Sequence, residues 1–286
     1  MTTIVGVHGV GNYRPGETPE QAARSLSTVW SARLARHELG LRAVEIAYYA
    51  DVLRAQGRQG SDDLSTLPDQ AEQLVRLWLN ELGLPPGTGQ GWGTWPIRQA
   101  LAWIAEQRKL SARLLELFVA TFFREVAAYL REPAMREHAR ARVVRSLTAR
   151  RPSVVIGHSL GSVVAYEALW ACPEVPVDLF VTLGSPLALP HAVFHRLDPA
   201  PLDERGAKPP GVARWINLAD PGDLVALPAG GISRRFDDVD GDEHDVVHAF
   251  DFHLVSNYLK CKKLGDELRS VGAPPDALTA EPGERF

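Results

Sequence analysis

The stretch Ser153-Val154-Val155-Ile156-Gly157-His158-Ser159-Leu160-Gly161-Ser162-Val163-Val164 decides the fold. Its apolar β-branched start predicts a buried strand, and the helix-forming run after Gly161 predicts a helix. Between them, two glycines flank a serine. A serine in a strand-to-helix turn is held in a strained backbone conformation, and flanking glycines avoid the clashes that side chains would cause. The segment therefore predicts a strand, a sharp turn and a helix, with Ser159 as a nucleophile presented at the turn.

Outward from this turn, short apolar segments alternate with helical patterns. A helix beginning after Thr18 is favoured by that residue as N-cap and by Pro19 in the first turn. Alternating strands and helices predict an α/β fold whose mostly parallel sheet is covered by helices on both faces. We predict strands over 4–7, 44–49, 153–156, 179–183 and 212–218, and helices over 18–39, 160–171 and 253–268.

The segment 50–150 contains no convincing strand and predicts four helices, the last of them, over 131–150, rich in arginine. It is expected to be a helical insertion that acts as a lid or an acyl-binding cap over the site. The alternative is a helical subdomain whose aromatic residues are core or a dimer face. Pro85 to Gly93 is a loop by composition and could be a hinge. The aromatic residues concerned are Trp78, Trp92, Trp95, Trp103, Phe118, Phe122 and Phe123.

Composition limits the class of protein. The chain has 286 residues, 45% of them hydrophobic, and a formal net charge of −4, which argues against a disordered chain and against a nucleic-acid binder. Cys172 and Cys261 are far apart, so two free thiols are expected. We see neither a signal peptide nor a spanning segment, and expect a cytoplasmic protein. A single domain is predicted over 1–271, followed by a loose tail over 272–286.

The residues 157–162, together with Val7-His8-Gly9, resemble the α/β-hydrolase family and within it the lipase-like branch. The resemblance covers 4–49 and 153–268. In that family the His-Gly pair follows the third core strand, whereas here it follows the first, which implies an α/β-hydrolase sheet shortened at its N-terminus. The family's oxyanion hole would be formed by the backbone N–H groups of Val10 and Leu160. The rival interpretation of the first loop, a dinucleotide-binding turn, lacks the required glycine order.

A serine nucleophile needs an imidazole to take its proton and a carboxylate to orient that imidazole. In the α/β-hydrolase order both follow Ser159. Asp220 and Asp223 follow the strand over 212–218, and Asp223 is favoured because Asp223-Leu224-Val225 resembles the family pattern. His253 is favoured as the base because the segment from His253 to Tyr258 resembles the one that holds the family histidine. The alternatives are His248 and His244, the latter in an acidic loop that we expect to be solvated.

Four of the remaining histidines are expected at the surface: His37, His138, His191 and His195. His158 is expected to pack beside the turn. The acidic stretch 237–243 lacks the rest of a calcium loop, so neither a metal nor a cofactor is predicted. The arginines of the last helix are expected to form a solvated face, with contact to an anionic surface as the alternative.

The predicted activity is hydrolysis of a carboxylic ester, with a lipid-like acyl ester or phospholipid as substrate, through an acyl-enzyme. A peptidase, amidase or thioesterase would use the same residues, and a catalytically idle interaction module is the alternative outside the enzymes. We expect no nucleic-acid partner. Peripheral contact with a membrane could occur through the helical insertion, and the oligomeric state is left open.

Overall fold

A computed structural model describes residues 2–38, 44–54, 64–82, 96–244 and 253–271. Its main sheet has six strands in the order β2-β1-β3-β4-β6-β8, and every neighbouring pair is parallel. These strands are β1 (Ile4–Val7), β2 (Glu45–Ala47), β3 (Val154–His158), β4 (Val177–Leu183), β6 (Val212–Leu218) and β8 (Gly241–Glu243). Two short strands, β5 (Gly206–Ala207) and β7 (Phe236–Asp237), form a second sheet. The predicted α/β fold with a mostly parallel sheet is confirmed.

Ten α-helices are present in the described residues. They are α1 (Pro19–Leu34), α2 (Ala50–Arg54), α3 (Asp69–Glu81), α4 (Ile97–Arg108), α5 (Ala112–Arg131), α6 (Pro133–Arg150), α7 (Leu160–Ala171), α8 (Gly231–Arg235), α9 (Val255–Tyr258) and α10 (Lys262–Ser270). Thr18 caps α1 through a capping box with Gln21, as its place before Pro19 predicted. None of the described helices combines the length and apolarity needed to cross a bilayer.

Side chains of the central strands alternate between two cores, one on each face of the sheet. Val155 faces a large core that also contains residues of α3 to α7. Val154 and Ile156 face a smaller core shared with α1 and α10. Helices therefore cover both faces. The helices of 50–150 supply much of the larger core, with Trp78, Phe122 and Phe123 buried in it, so these aromatic residues pack as the core alternative predicted.

The prediction of one closing helix over 253–268 is wrong. α9 ends at Tyr258, and α10 begins at Lys262. Between them the N–H groups of Lys260 and Cys261 bond three residues back, to Asn257 and Tyr258. This tight turn separates the two helices. The Tyr258 hydroxyl bonds to Asp223, whereas Leu264 and Leu268 of α10 pack in the smaller core.

The acidic loop that contains His244 is solvated only in part. Asp237, Asp238, Asp240 and Glu243 are exposed, but Gly241–Glu243 form β8, which extends the main sheet beside β6. Asp242 is held by Asn217, by His244 and by the Ser233 N–H, which overcome the effect of burial and lower its pKa to about 2. Ion pairs join Asp237 to Arg205, Asp240 to Lys208 and Glu243 to Lys263. Within the described ranges no group of side chains is arranged to hold a metal ion.

Two smaller expectations need correction. His37 is buried, with Nε2 2.9 Å from the Leu259 carbonyl, because α10 packs over the end of α1. The arginines of α6 are not simply a solvated face, since four of them form intramolecular ion pairs with other parts of the chain. The pairs are Arg136 with Glu167, Arg140 with Asp198, Arg142 with Asp51 and Arg150 with Glu45. Cys172 and Cys261 are both free and buried, as expected.

Candidate functional site

The turn at Ser159 joins the end of β3 to the start of α7. Ser159 has φ 55° and ψ −133°, a strained conformation for any residue other than glycine. A Cβ on Gly157 would lie 2.6 Å from Ser162 Cα, and one on Gly161 would lie 2.3 Å from the His8 carbonyl oxygen. Both positions therefore require glycine. The close approach at Gly161 also brings the start of α7 directly against the loop that follows β1.

Asp223 and His253 form a buried pair at the carboxyl edge of the sheet. His253 Nδ1 lies 2.8 Å from Asp223 Oδ2 and 3.0 Å from Oδ1. The same carboxylate accepts the Tyr258 hydroxyl at 2.6 Å and the Val225 N–H at 2.8 Å. Burial, followed by the nearby Asp223, raises the pKa of Tyr258, so its hydroxyl stays protonated and donates. Asp223 accepts in all of these bonds, so Nδ1 of His253 carries a proton, and in the neutral imidazole Nε2 presents a lone pair.

The end of β4 lies between Ser159 and the Asp223–His253 pair and contacts both. The Ser159 N–H donates to the Leu183 carbonyl at 3.0 Å. At the next residue, a Cβ on Gly184 would lie 2.6 Å from Asp223 Oδ2 and 3.2 Å from His253 Cε1. Ser159 Oγ and His253 Nε2 are both buried and have no hydrogen-bond partner among the described residues. Buried polar atoms are rarely left unpaired, and active sites are where the exceptions concentrate.

The loop after β1 is fixed by hydrogen bonds that set the Gly9–Val10 peptide. The Gly9 carbonyl accepts from Asn12 Nδ2 at 2.9 Å and lies 2.9 Å from His8 Nδ1. A Cβ on Gly9 would lie 2.6 Å from Ser159 Cβ, so the loop passes directly over the serine. No hydrogen bond occupies the N–H of Val10 or of Leu160 within the described part of the chain. Both backbone donors predicted for an oxyanion therefore flank Ser159 and are unoccupied there.

His8 is an uncharged part of this scaffold. Its Nε2 accepts the Tyr49 N–H at 3.2 Å, so the proton lies on Nδ1 and is donated to Gly9. Burial, partly offset by the bond to Gly9, lowers its pKa to about 4. The Tyr49 hydroxyl in turn donates to the His8 carbonyl at 2.7 Å. Tyr49 therefore holds both ends of His8, which orients the carbonyl of Gly9.

The helices within 50–150, which we call the helical layer, contribute one buried carboxylate to the loop that follows β1. Glu125 of α5 is 4% exposed, and its Oε1 accepts the Gly11 N–H at 3.1 Å. The sequence interpretation missed this residue, although it carried a signal. Glu125 lies three residues after Phe122 and four before Tyr129, so it falls on the apolar stripe of the helix where a charge is unexpected. Tyr258 was noticed only as part of a pattern, without its bond to Asp223.

An apolar cavity of about 590 Å³ opens beside this cluster. Val10, His158 and His253 are among the residues that line it. The ring centroids of Phe118 and Phe122 lie 5.3 Å and 6.3 Å from that of His253, so two aromatics of the helical layer do face the site. The remaining wall comes from Gly11, from the start of α5 and from Leu254; its residues are Lys109, Leu110, Ser111, Leu114, Leu115, Leu117 and Thr121.

The other candidates lie as follows. Asp220 does not bond to the histidine; its Oδ1 accepts the Gly222 N–H at 2.6 Å, which is a turn role. His244 lies 3.0 Å from Asp242, on the far side of β6. His158 is buried beside His253, with 4.8 Å between ring centroids, and burial followed by the nearby His253 holds its pKa well below the usual value. His248, Trp92, Trp95, the suggested hinge over 85–93 and the tail over 272–286 lie outside the described residues.

Comparison with known proteins adds no family to this picture. No protein-family model matches the sequence, and no curated protein matches it either. What stands is the fold and the site: an α/β protein with a parallel six-stranded sheet, and a buried Ser, His and Asp cluster at its carboxyl edge.

Proposed function

We propose that the chain is a serine hydrolase of the α/β-hydrolase fold that cleaves carboxylic esters. The observation that carries the proposal is the buried Asp223–His253 pair. Neither His253 Nε2 nor the Oγ of Ser159, at the same edge of the sheet, has a hydrogen-bond partner among the described residues. In this mechanism His253 takes the proton of Ser159 as Oγ attacks the ester carbonyl. The N–H groups of Val10 and Leu160 stabilise the oxyanion. His253 then protonates the alcohol as it leaves the carbonyl carbon. A water, deprotonated by His253, next attacks the acyl-enzyme; the bond to Ser159 Oγ breaks, Oγ takes its proton back from His253, and the acid is released.

The cavity supports a lipid-like acyl ester or phospholipid as the substrate class. Apolar side chains form most of its wall, and only Lys109, Ser111, Thr121 and the two histidines bring polar groups. Its volume, about 590 Å³, is in the range of sites for small apolar molecules. An apolar acyl group would gain from burial there, whereas a peptide segment would leave its N–H and C=O groups unpaired. In this proposal the start of α5 acts as the cap over the site.

A fluorophosphonate probe tests the chemistry, because it reacts with activated serines. We expect labelling of the wild type and none of Ser159→Ala, with strong loss in Asp223→Asn and His253→Ala. Ser233→Ala, an exposed serine, serves as the control and should label normally. An unlabelled wild type, or a labelled Ser159→Ala, would contradict the proposal. If His248→Ala or His244→Ala abolishes labelling while His253→Ala does not, the base is misassigned.

The substrate class is tested separately. Soluble acyl esters of increasing chain length should be cleaved with rising kcat/KM until the cavity is filled, and peptide amides should be poor substrates. A preference for amides, or for acetyl over longer acyl groups, would overturn the ester and lipid assignment while leaving the serine chemistry intact.

A further inference from the structure

The start of α5 has an unusual distribution of apolar residues. Leu115 and Val119 face the core, as expected for an amphipathic helix. Its outer face should then be polar. Instead Leu114 is 66% exposed and Leu117 is 40% exposed, and the two lie three residues apart on that face. These two leucines place an apolar strip on the otherwise polar outer face of the first turns of α5.

A third exposed leucine lies beside these two. Leu254 is 52% exposed and lines the same cavity. We call Leu114, Leu117 and Leu254 the leucine rim. Of the six large apolar side chains that are exposed in the described residues, these three all border one cavity. Single exposed leucines need no explanation, but a cluster around the mouth of an apolar cavity marks an interaction surface.

Charge identifies the kind of surface. Arg108, Lys109 and Arg113, which we call the cationic turn, are exposed at the junction of α4 and α5, and none of them forms an ion pair with a described residue. Glu106 and Glu116 are the two acidic residues there, and Glu116 is already paired with Arg98. The local charge is therefore positive in a chain whose net charge is −4. Cations beside exposed apolar residues are typical of segments that lie on anionic lipid.

We propose that the start of α5 docks on an anionic lipid surface, with the leucine rim entering the apolar layer and the cationic turn meeting the head groups. The proposal rests on the proposed function and deepens it, since the cavity lined by Val10 and His253 would then open into the layer that contains the substrate. The geometry favours a lipid surface over a protein partner. A protein seated on the rim would close the mouth of the cavity, whereas a lipid layer leaves it continuous with the source of apolar esters.

Vesicle sedimentation tests the docking. The full chain with Ser159→Ala is mixed with phosphatidylcholine vesicles, or with the same vesicles containing about 30% phosphatidylglycerol. We expect at least about fivefold tighter partition onto the anionic vesicles, weakening as salt rises from about 0.1 M to about 1 M. Leu114→Ser with Leu117→Ser should lower partition about tenfold or more, and Lys109→Gln with Arg113→Gln about tenfold.

The control is Leu202→Ser, which removes a 77% exposed leucine that does not line the cavity and should bind as before. Thermal unfolding checks that every variant is folded. Absence of binding to anionic vesicles, or equal loss in the control, overturns the docking. So does a dimer in sedimentation velocity that Leu114→Ser with Leu117→Ser dissociates, because the rim would then be covered by a second copy. Binding needs no reactive serine, so failed probe labelling with intact vesicle binding would reject the hydrolase and keep the surface.

Discussion

At the carboxyl edge of the sheet, Ser159, Asp223 and His253 are placed by backbone geometry and hydrogen bonds, whereas at the start of α5 the cavity wall is placed by side-chain packing. The first region is polar and buried, and a change of one atom there removes a defined bond. The second is apolar and partly exposed, so similar apolar residues could replace one another. In the proposed hydrolase, the chemistry and the choice of substrate are therefore specified by separate parts of the chain.

The two regions are nevertheless joined by buried carboxylates. Glu125 connects α5 to the loop over Ser159, and Glu167 connects α7, the helix that follows Ser159, to α5 and α6. If these links matter, damage in the helical layer should reach the polar site. The variants below each remove one link or one element of the polar region, and their properties show whether the two regions can be separated.

The largest effect is expected at Glu167, which is fully buried in α7. It accepts the Tyr129 hydroxyl at 2.6 Å, Arg136 Nε at 2.9 Å and the Asp198 N–H at 3.2 Å. Glu167→Ala leaves Arg136 without its carboxylate partner and should lower the free energy of unfolding by about 3–5 kcal/mol. Urea unfolding measures the loss. Glu137→Ala, which removes an exposed partner of Arg140, should cost less than about 1 kcal/mol, and equal losses would deny Glu167 its special role.

His8 makes the polar region sensitive to acid. Its pKa is lowered from 6.5 to about 4 in the folded protein, because burial disfavours the charged ring. Between those pH values the unfolded chain binds a proton that the folded protein does not, so stability falls as pH falls. His8 alone should contribute a loss of about 3 kcal/mol by pH 4, at about 1.4 kcal/mol per pH unit. Unfolding at several pH values should show a shallower slope in His8→Gln and an unchanged slope in His138→Gln.

Glu125 tests whether the helical layer supports the proposed catalysis through the loop that follows β1. Glu125→Ala frees the Gly11 N–H and loosens the loop that holds Val10, so kcat for a soluble ester should fall roughly tenfold to a hundredfold with little change in KM. Glu125→Gln keeps an oxygen that can accept the Gly11 N–H and should restore most of the activity. Glu116→Ala, on the same helix, should leave kcat unchanged. Failure of the glutamine variant to rescue would show that Glu125 acts by charge or by stability alone.

The sequence predicted the polar region better than the helical layer. Ser159 lies where a glycine-flanked turn follows a strand, and such local backbone requirements leave a readable pattern. The bounds of α7 and β6 were also predicted, because continuous apolar runs in a parallel sheet have clear ends. Both depend on neighbours in the chain.

What depends on distant parts of the chain was missed. The partner of Glu125 is Gly11, 114 residues away, and β8 forms only because β6 offers it a free edge. No glycine or proline marks the break after Tyr258, whose hydroxyl bonds to Asp223, 35 residues earlier. The segment 50–150 was predicted to form a cap, but the exposed leucines of α5 could not be told from core leucines, since periodicity alone does not say which face is covered.

The smallest change in the free energy of unfolding is expected at Ser159, where it tests whether the turn is strained. The φ of 55° at Ser159 is unfavourable for serine and costs about 1–3 kcal/mol, whereas glycine adopts it freely. Ser159→Gly also gains entropy when unfolded, which offsets part of the relief. We expect a net gain of about 1 kcal/mol in the free energy of unfolding, together with complete loss of probe labelling. Ser159→Ala, which keeps the strain, should also lose labelling without that gain. A glycine variant less stable than the alanine variant would mean that the turn is not strained, and that the polar region is placed by its hydrogen bonds alone.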